Sequence, residues 1–379
     1  MTTETILSNA RIVLADETIE GSVAIRDGLI ADISPGLVRA GEDFGGDYLI
    51  PGLVELHTDH LEGHYAPRPK VRWNPLAAVL AHDAQVATAG ITTVFDALRV
   101  GLGEDADIDA AEMRRLADAI EDGVRSDRLR ADHFIHLRCE VSADDCLDGF
   151  AHFDGDDRVR MASLMDHAPG QRQFVNLETY AYYYQRKLKL TDSEFIEFCE
   201  KRIAESQRNA RPNREAIAAA CHARGIVLAS HDDATRAHVD EAVEQGIRVA
   251  EFPTTLEAAS ASKGAGMGVL MGAPNVVRGG SHSGNVSARE LAEHGHLDIL
   301  SSDYIPYSLI QSAFFLGEVV DAISLPQAVA MVSLNPARAT GLDDRGEIAI
   351  GKRADLVRVR VDDHIPVVRS VWREGRRVA

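Results

Sequence analysis

Four stretches of this chain end in side chains able to bind a metal ion or move a proton. The first, Leu53-Val54-Glu55-Leu56, runs straight into His57-Thr58-Asp59-His60-Leu61-Glu62. In an extended chain, residues two apart share a face. His57 and Asp59 can therefore grip one ion with an imidazole and a carboxylate; as a plain turn the same residues would be solvated charges. The second stretch, HFIHLRCEV, places His136, Arg138 and Glu140 on one face. An inward carboxylate at a strand end is costly unless it is paired or metal-bound. Glu140 is thus read as a ligand able to bridge two ions, against a structural Glu140–Arg138 ion pair, and His136 as a core histidine. The third, IVLASHDD, delivers His231 from an apolar run, with Asp233 as the cap of the next helix. The fourth, LDILSSDY, ends in Asp303, placed as a metal ligand and as general base for an activated water. Its plainer alternative is an N-cap for the helix near SLIQSAFFLGEVVDAI.

A second set of residues suits an anion. In VVRGGSHSGN, Gly279, Gly280 and Gly284 let backbone N–H groups approach closely, while Arg278, His282, Ser281 and Ser283 add donors. Arg68, Lys70 and Arg72 sit in the proline-stiffened YAPRPKVRWNP. Arg99 and Arg138 point to the same end of the fold. Guanidinium forks match phosphate oxygens, so Arg68, Arg72, Arg99, Arg138, Arg278, His282 and Ser283 are taken as substrate contacts. Any one of these arginines alone is more often a surface ion pair than a ligand contact. The whole chain carries a formal net charge of −19, which argues against nucleic acid and anionic membranes as partners. A local arginine cluster can still reverse the field in one cleft.

The elements that must position these residues are read from patterning. Residues 1–50 and 345–379 alternate apolar and polar and read as short strands, paired into a small β-sandwich domain. Between them, 51–344 alternates strands with amphipathic helices, the rhythm of a parallel sheet. About eight strands favour a closed (β/α)8 TIM-like barrel over an open doubly wound α/β sheet. No G-x-G-x-x-G comes after an early strand to support the latter. Parallel barrels carry chemistry at their C-terminal strand ends, where the four stretches fall. GVLMGAPNVV reads as one strand, and RPNREAIAAACHARG as a helix capped by Asn213 and stopped by Gly225. The segment 144–212 is the least regular, a lid or a subunit contact, and a homo-oligomer is expected. Cys139, Cys146, Cys199 and Cys221 form no C-x-x-C pair. With no signal-peptide pattern and no apolar run long enough for a bilayer, a cytoplasmic location is expected.

PGLVELHTD, the barrel and the tail NPARATGLDDRGEIAIGKRADLV together resemble the amidohydrolase superfamily. More narrowly, HTDHLEGHYAPRPKVRW, PGQRQF, ASHDD, RGGSHSGN and ILSSDY are similar to the PhnM proteins of the carbon–phosphorus lyase pathway. The resemblance covers nearly the whole chain. It implies hydrolysis of α-D-ribose 1-methylphosphonate 5-triphosphate to the 5-phosphate and diphosphate. It also implies a divalent cofactor, Zn²⁺ or Mn²⁺, as one or two ions, and a small phosphorylated sugar as substrate. In that scheme Asp303 takes a proton from water attacking the α-phosphorus, and Arg68, Arg72, Arg278 and His282 hold phosphate oxygens. The chain departs from the superfamily in three places. It has H-x-D for H-x-H, no lysine at a strand end, and VAEFPTT without a second histidine. The competing readings are a C–N hydrolase, such as a deacetylase or cyclic amidase, and a barrel without activity.

Overall fold

The computed structural model describes residues 4–101, 108–174, 177–281 and 284–379. Two eight-stranded sheets organise the chain. The first is built from both ends: β1 (Glu4–Val13), β2 (Thr18–Arg26), β3 (Leu29–Pro35), β4 (Glu42–Asp43) and β5 (Tyr48–Pro51), with the late strands β14 (Leu356–Asp362), β15 (Ile365–Arg373) and β16 (Arg376–Arg377). β5 joins the halves, pairing parallel with β1 and antiparallel with β14. An isolated bridge from Leu29 to Arg353 draws the far edge back. One sheet thus curls around its own core of Leu7, Val23, Leu49, Leu356 and Trp372.

The second sheet is parallel and runs in sequence order: β6 (Leu53–Thr58), β7 (Ile91–Val100), β8 (Asp132–Glu140), β9 (Val159–Met165), β10 (Val227–His231), β11 (Val249–Glu251), β12 (Gly268–Gly272) and β13 (Ile299–Ser301). A parallel bridge between Thr58 and Asp303 brings the last strand back to the first and closes a barrel. Glu55, fully buried on β6, fastens this seam. Its carboxylate accepts from Ser301 Oγ at 2.7 Å, Ser302 N at 2.6 Å and His57 N at 2.7 Å. Val54, Leu56, Phe95, Met161, Ala229, Leu270 and Ile299 fill the interior below the mouth. Helices cover the outside, among them α1 (His60–Tyr65), α2 (Pro75–Thr88) and α3 (Ala110–Arg125). At Gly52, where the small sheet feeds the barrel, a Cβ would lie 2.2 Å from Thr92 Oγ1.

Several expected elements differ. β9 and a 33-residue helix, Asp192–Arg224, occupy much of the segment read as irregular. Thr191 caps that helix in a capping box with Glu194, and Asn213 lies inside it, donating to the carbonyls of Val141 and Ala143. Gly225 does stop it, in the left-handed conformation at φ 68°. GVLMGAPNVV is a strand only to Gly272; Pro274 then opens the helix Ala273–Arg278. Thr235, not Asp233, caps the helix Arg236–Glu244. The helix after β13 begins at Ser308 with Tyr307 as its cap, so Asp303 does not serve there. No helix among the described residues is long and apolar enough to cross a membrane.

Candidate metal and anion site at the barrel mouth

The C-terminal strand ends converge on a cleft of about 220 Å³ lined by His57, Arg138, His167, His231, Asp232, Arg278 and Asp303, among others. A left-handed residue comes shortly after the end of three of these strands: Asp232 at φ 58°, Phe252 at 52° and Asp303 at 57°. Such backbone costs energy in non-glycine residues, and it gathers at functional sites. The Asp303 turn is held by its N–H on the carbonyl of His57 at 3.1 Å.

Glu251, buried at the end of β11, sits at the centre. One carboxylate oxygen lies 3.1 Å from His57 Nδ1 and the other 3.2 Å from His231 Nδ1. The two imidazoles stack with centroids 5.7 Å apart. Burial opposes ionisation of Glu251, but His57 and His136 outweigh it and hold its carboxyl well below the usual range. Burial likewise opposes charge on His57, and Glu251 reverses this and raises its pKa. His167, two residues past the end of β9, and His231 both approach Asp232 Oδ2, at 3.6 and 3.5 Å. Donor atoms of His167, His231 and Asp232 all fall within 4.8 Å of one another, as do those of His57, His136 and Glu251. His136 is better explained as core. Its ring nitrogens are already paired with Leu56 O and Ser163 Oγ, each at 2.8 Å, and burial pushes its pKa to about 4. The remaining nitrogen and oxygen donors fit a borderline divalent cation. Burial, with Asp59 beside it, raises the pKa of Asp303.

The residues singled out from sequence fall into four groups. His57, Arg138, His231, Asp303 and Arg278 line the cleft. Asp59 and Glu140 reach it through partners. Asp59 accepts from Arg138 NH1 at 3.1 Å. Glu140 accepts from the Nδ1 and backbone N–H of His167, at 2.5 and 3.0 Å, and from Ser142 Oγ at 2.6 Å. Burial resists charge on both Glu140 and His167, yet their pairing holds the first at about 2 and raises the second to about 10. Arg68, Arg72 and Arg99 do not line the cleft. Arg72 donates to Glu112 at 2.7 Å, and Arg99 forks onto Glu62 at 2.8 and 2.6 Å. His282 and Ser283 lie outside the described residues. Arg278 makes no ion pair with any described residue and faces the cleft from the last turn of its helix. Sequence reasoning missed Glu251, His167 and the role of Asp232. Glu251 carries the same signal as Glu140, a carboxylate ending an apolar strand, and that pattern could have found it.

A closed parallel barrel with imidazoles and carboxylates at its mouth, beside a sheet formed from both chain ends, defines a class of metal-dependent hydrolases. The chain belongs to the amidohydrolase family, whose model matches residues 76–379. It is 49% identical over 377 residues, 98% of this chain and 100% of the relative, to the alpha-D-ribose 1-methylphosphonate 5-triphosphate diphosphatase of Escherichia coli K12. Solved structures share the fold. N-acetyl-D-glucosamine-6-phosphate deacetylase from Mycobacterium smegmatis superposes with a TM-score of 0.63 at 18% identity, over 99% of this chain and 100% of that one. 5-Methylcytosine deaminase from Klebsiella pneumoniae gives 0.65 at 14% identity, over 99% and 98%.

Proposed function

We propose that this chain hydrolyses α-D-ribose 1-methylphosphonate 5-triphosphate to the 5-phosphate and diphosphate, a step of phosphonate catabolism. The observation that carries this reading is one cleft holding a histidine–carboxylate group together with the guanidinium groups of Arg138 and Arg278. Hydrolysis of a neutral amide has no use for two such cations, whereas a triphosphate needs them.

His57, His167, His231, Asp232 and Glu251 would hold one or two divalent ions, Zn²⁺ or Mn²⁺. Glu251 turns one oxygen to His57 and the other to His231, which suits it to bridging. Bound there, a divalent ion acts as a Lewis acid on a phosphoryl oxygen and makes water more acidic. Asp303 accepts the proton of the attacking water, and its raised pKa suits it to that exchange. Water oxygen bonds to the α-phosphorus, and the bond from that phosphorus to the α–β bridging oxygen breaks. Arg138, anchored by Asp59, orients the phosphate chain. Arg278 neutralises charge growing on the departing diphosphate. A small phosphorylated sugar is the partner, without nucleic acid or membrane. The free cysteines, Cys139, Cys146 and Cys221 of them buried, support a reducing cytoplasm. A homo-oligomer is the proposed assembly.

Turnover with added Zn²⁺ or Mn²⁺ tests the reading by comparing triphosphate sugars and nucleotides with N-acetyl and cyclic amides. Diphosphate release from the sugar triphosphate is expected. Amide cleavage without diphosphate release would establish the C–N hydrolase instead.

A further inference from the structure

A second group of imidazoles lies away from the barrel mouth, between α1 and α2. His60 and His64 are four residues apart on α1 and share a face, with ring centroids 5.0 Å apart. His82, on α2, lies 6.1 Å from each ring. The Nε2 atoms of His60 and His64 converge on one atom, Gln85 Oε1, at 2.9 and 3.2 Å. Gln85 stands one turn beyond His82 on α2, so all four side chains meet in the same crevice.

His82 is the informative member. It is fully buried, and its Nε2 lies 2.8 Å from Asp96 Oδ1. Its Nδ1 is also buried and has no hydrogen-bond partner among the described residues. Donating Nε2–H to a carboxylate leaves a lone pair on Nδ1, and a buried polar atom left unpaired costs stability. A carboxylate on one ring nitrogen with the other left free is how metal-binding histidines are oriented. Asp96 is itself fixed, since its other oxygen takes His133 Nδ1 at 2.8 Å. Three imidazoles around a tetrahedral ion, with metal–nitrogen bonds of about 2.0–2.1 Å, have centroids roughly 5 Å apart. The separations of 5.0 and 6.1 Å approach that, and the rings must turn to bring their nitrogens onto one ion, because the donor atoms within 4.8 Å of one another that include His82 are completed by Asp96 and His133.

We propose that His60, His64 and His82, with Gln85 Oε1 as an oxygen ligand, bind a divalent late transition-metal ion such as Zn²⁺. Imidazole donors favour that class over Mg²⁺ or Ca²⁺. The site is separate from the mouth: Asp96 faces the helix layer, while its neighbour Phe95 packs inside the barrel with Val54 and Leu56. His60 and His64 are partly exposed, so the ion enters from solvent. Bound there, it ties α1 to α2. Because α1 begins directly after Asp59, it braces the segment that carries His57 and Asp59 to the mouth.

Zn²⁺ titration of the metal-stripped full-length protein tests this, read by calorimetry and by metal content after dialysis. The comparison is among wild type, His64→Ala, His82→Gln and His231→Ala, with folding checked by circular dichroism. The longer amide of Gln at 82 can keep a donor where Nε2 meets Asp96 while removing the Nδ1 lone pair. One equivalent is expected to be lost, or bound at least ~10-fold more weakly, in His64→Ala and His82→Gln, but retained in His231→Ala. Wild-type stoichiometry and affinity in both of the first two variants overturns the proposal. So does loss in His64→Ala with unchanged binding in a folded His82→Gln, which would reduce the site to a surface histidine pair. Should His82→Gln not fold, His60→Ala and Gln85→Ala replace it, and unchanged affinity in both overturns the site.

Discussion

Asp303→Asn separates proton transfer from ion binding. The amide cannot accept the proton of water, while the donors of His57, His167, His231 and Glu251 remain. Turnover should fall about 10²–10⁴-fold with metal content unchanged by elemental analysis; unchanged turnover would remove Asp303 as the base. Arg278→Ala removes a cation that no described residue neutralises. A charge-assisted contact of about 1.5–3 kcal/mol makes a rise in KM for triphosphates of roughly tenfold or more the expected result. Equal KM values would take Arg278 out of the substrate site. His57 and His231 were legible in the sequence because each ends an apolar run that must be buried, which delivers the histidine to a strand end. Arg72 and Arg99 were not separable from site residues by sequence, because their acidic partners Glu112 and Glu62 lie 40 and 37 positions away.

Glu55 shows how an element-level contact reaches the chemistry. It locks β13 to β6, and both strands end in site residues. Glu55→Ala leaves the buried N–H groups of His57 and Ser302 unpaired. A loss of about 2–4 kcal/mol in urea unfolding is expected, together with lower turnover as Asp303 loses its register. Unchanged stability would show that the seam holds without it. The barrel rhythm was legible because strands and helices alternate with distinct periods. β9 was hidden because a short strand buried on both faces has no alternation to betray it. The helix Asp192–Arg224 was read from sequence only as RPNREAIAAACHARG with Asn213 as its cap, yet it runs through Pro212, a residue that normally breaks a helix at a cost of about 3 kcal/mol. The adjacent Asn213, bonded to the carbonyls of Val141 and Ala143, ties that turn to the barrel. His167 was lost with the same segment.

At the scale of the molecule, ions at the mouth would link β6, β9, β10, β11 and β13, strands distant in sequence. An ion held at a hundredfold excess over its Kd adds about 2.7 kcal/mol to the folded state. Removing metal with a chelator should therefore lower Tm by a few degrees, restored by Zn²⁺ or Mn²⁺. An unchanged Tm in demonstrably metal-free protein would mean that no ion joins these strands. The central claim is that water attacks the α-phosphorus of a sugar triphosphate at this cleft. Turnover in ¹⁸O-water, with mass spectrometry of both products, tests it most directly. Label in the 5-phosphate of the α-D-ribose 1-methylphosphonate product, with unlabelled diphosphate, is the result predicted. Label in diphosphate, or no diphosphate at all, would contradict it.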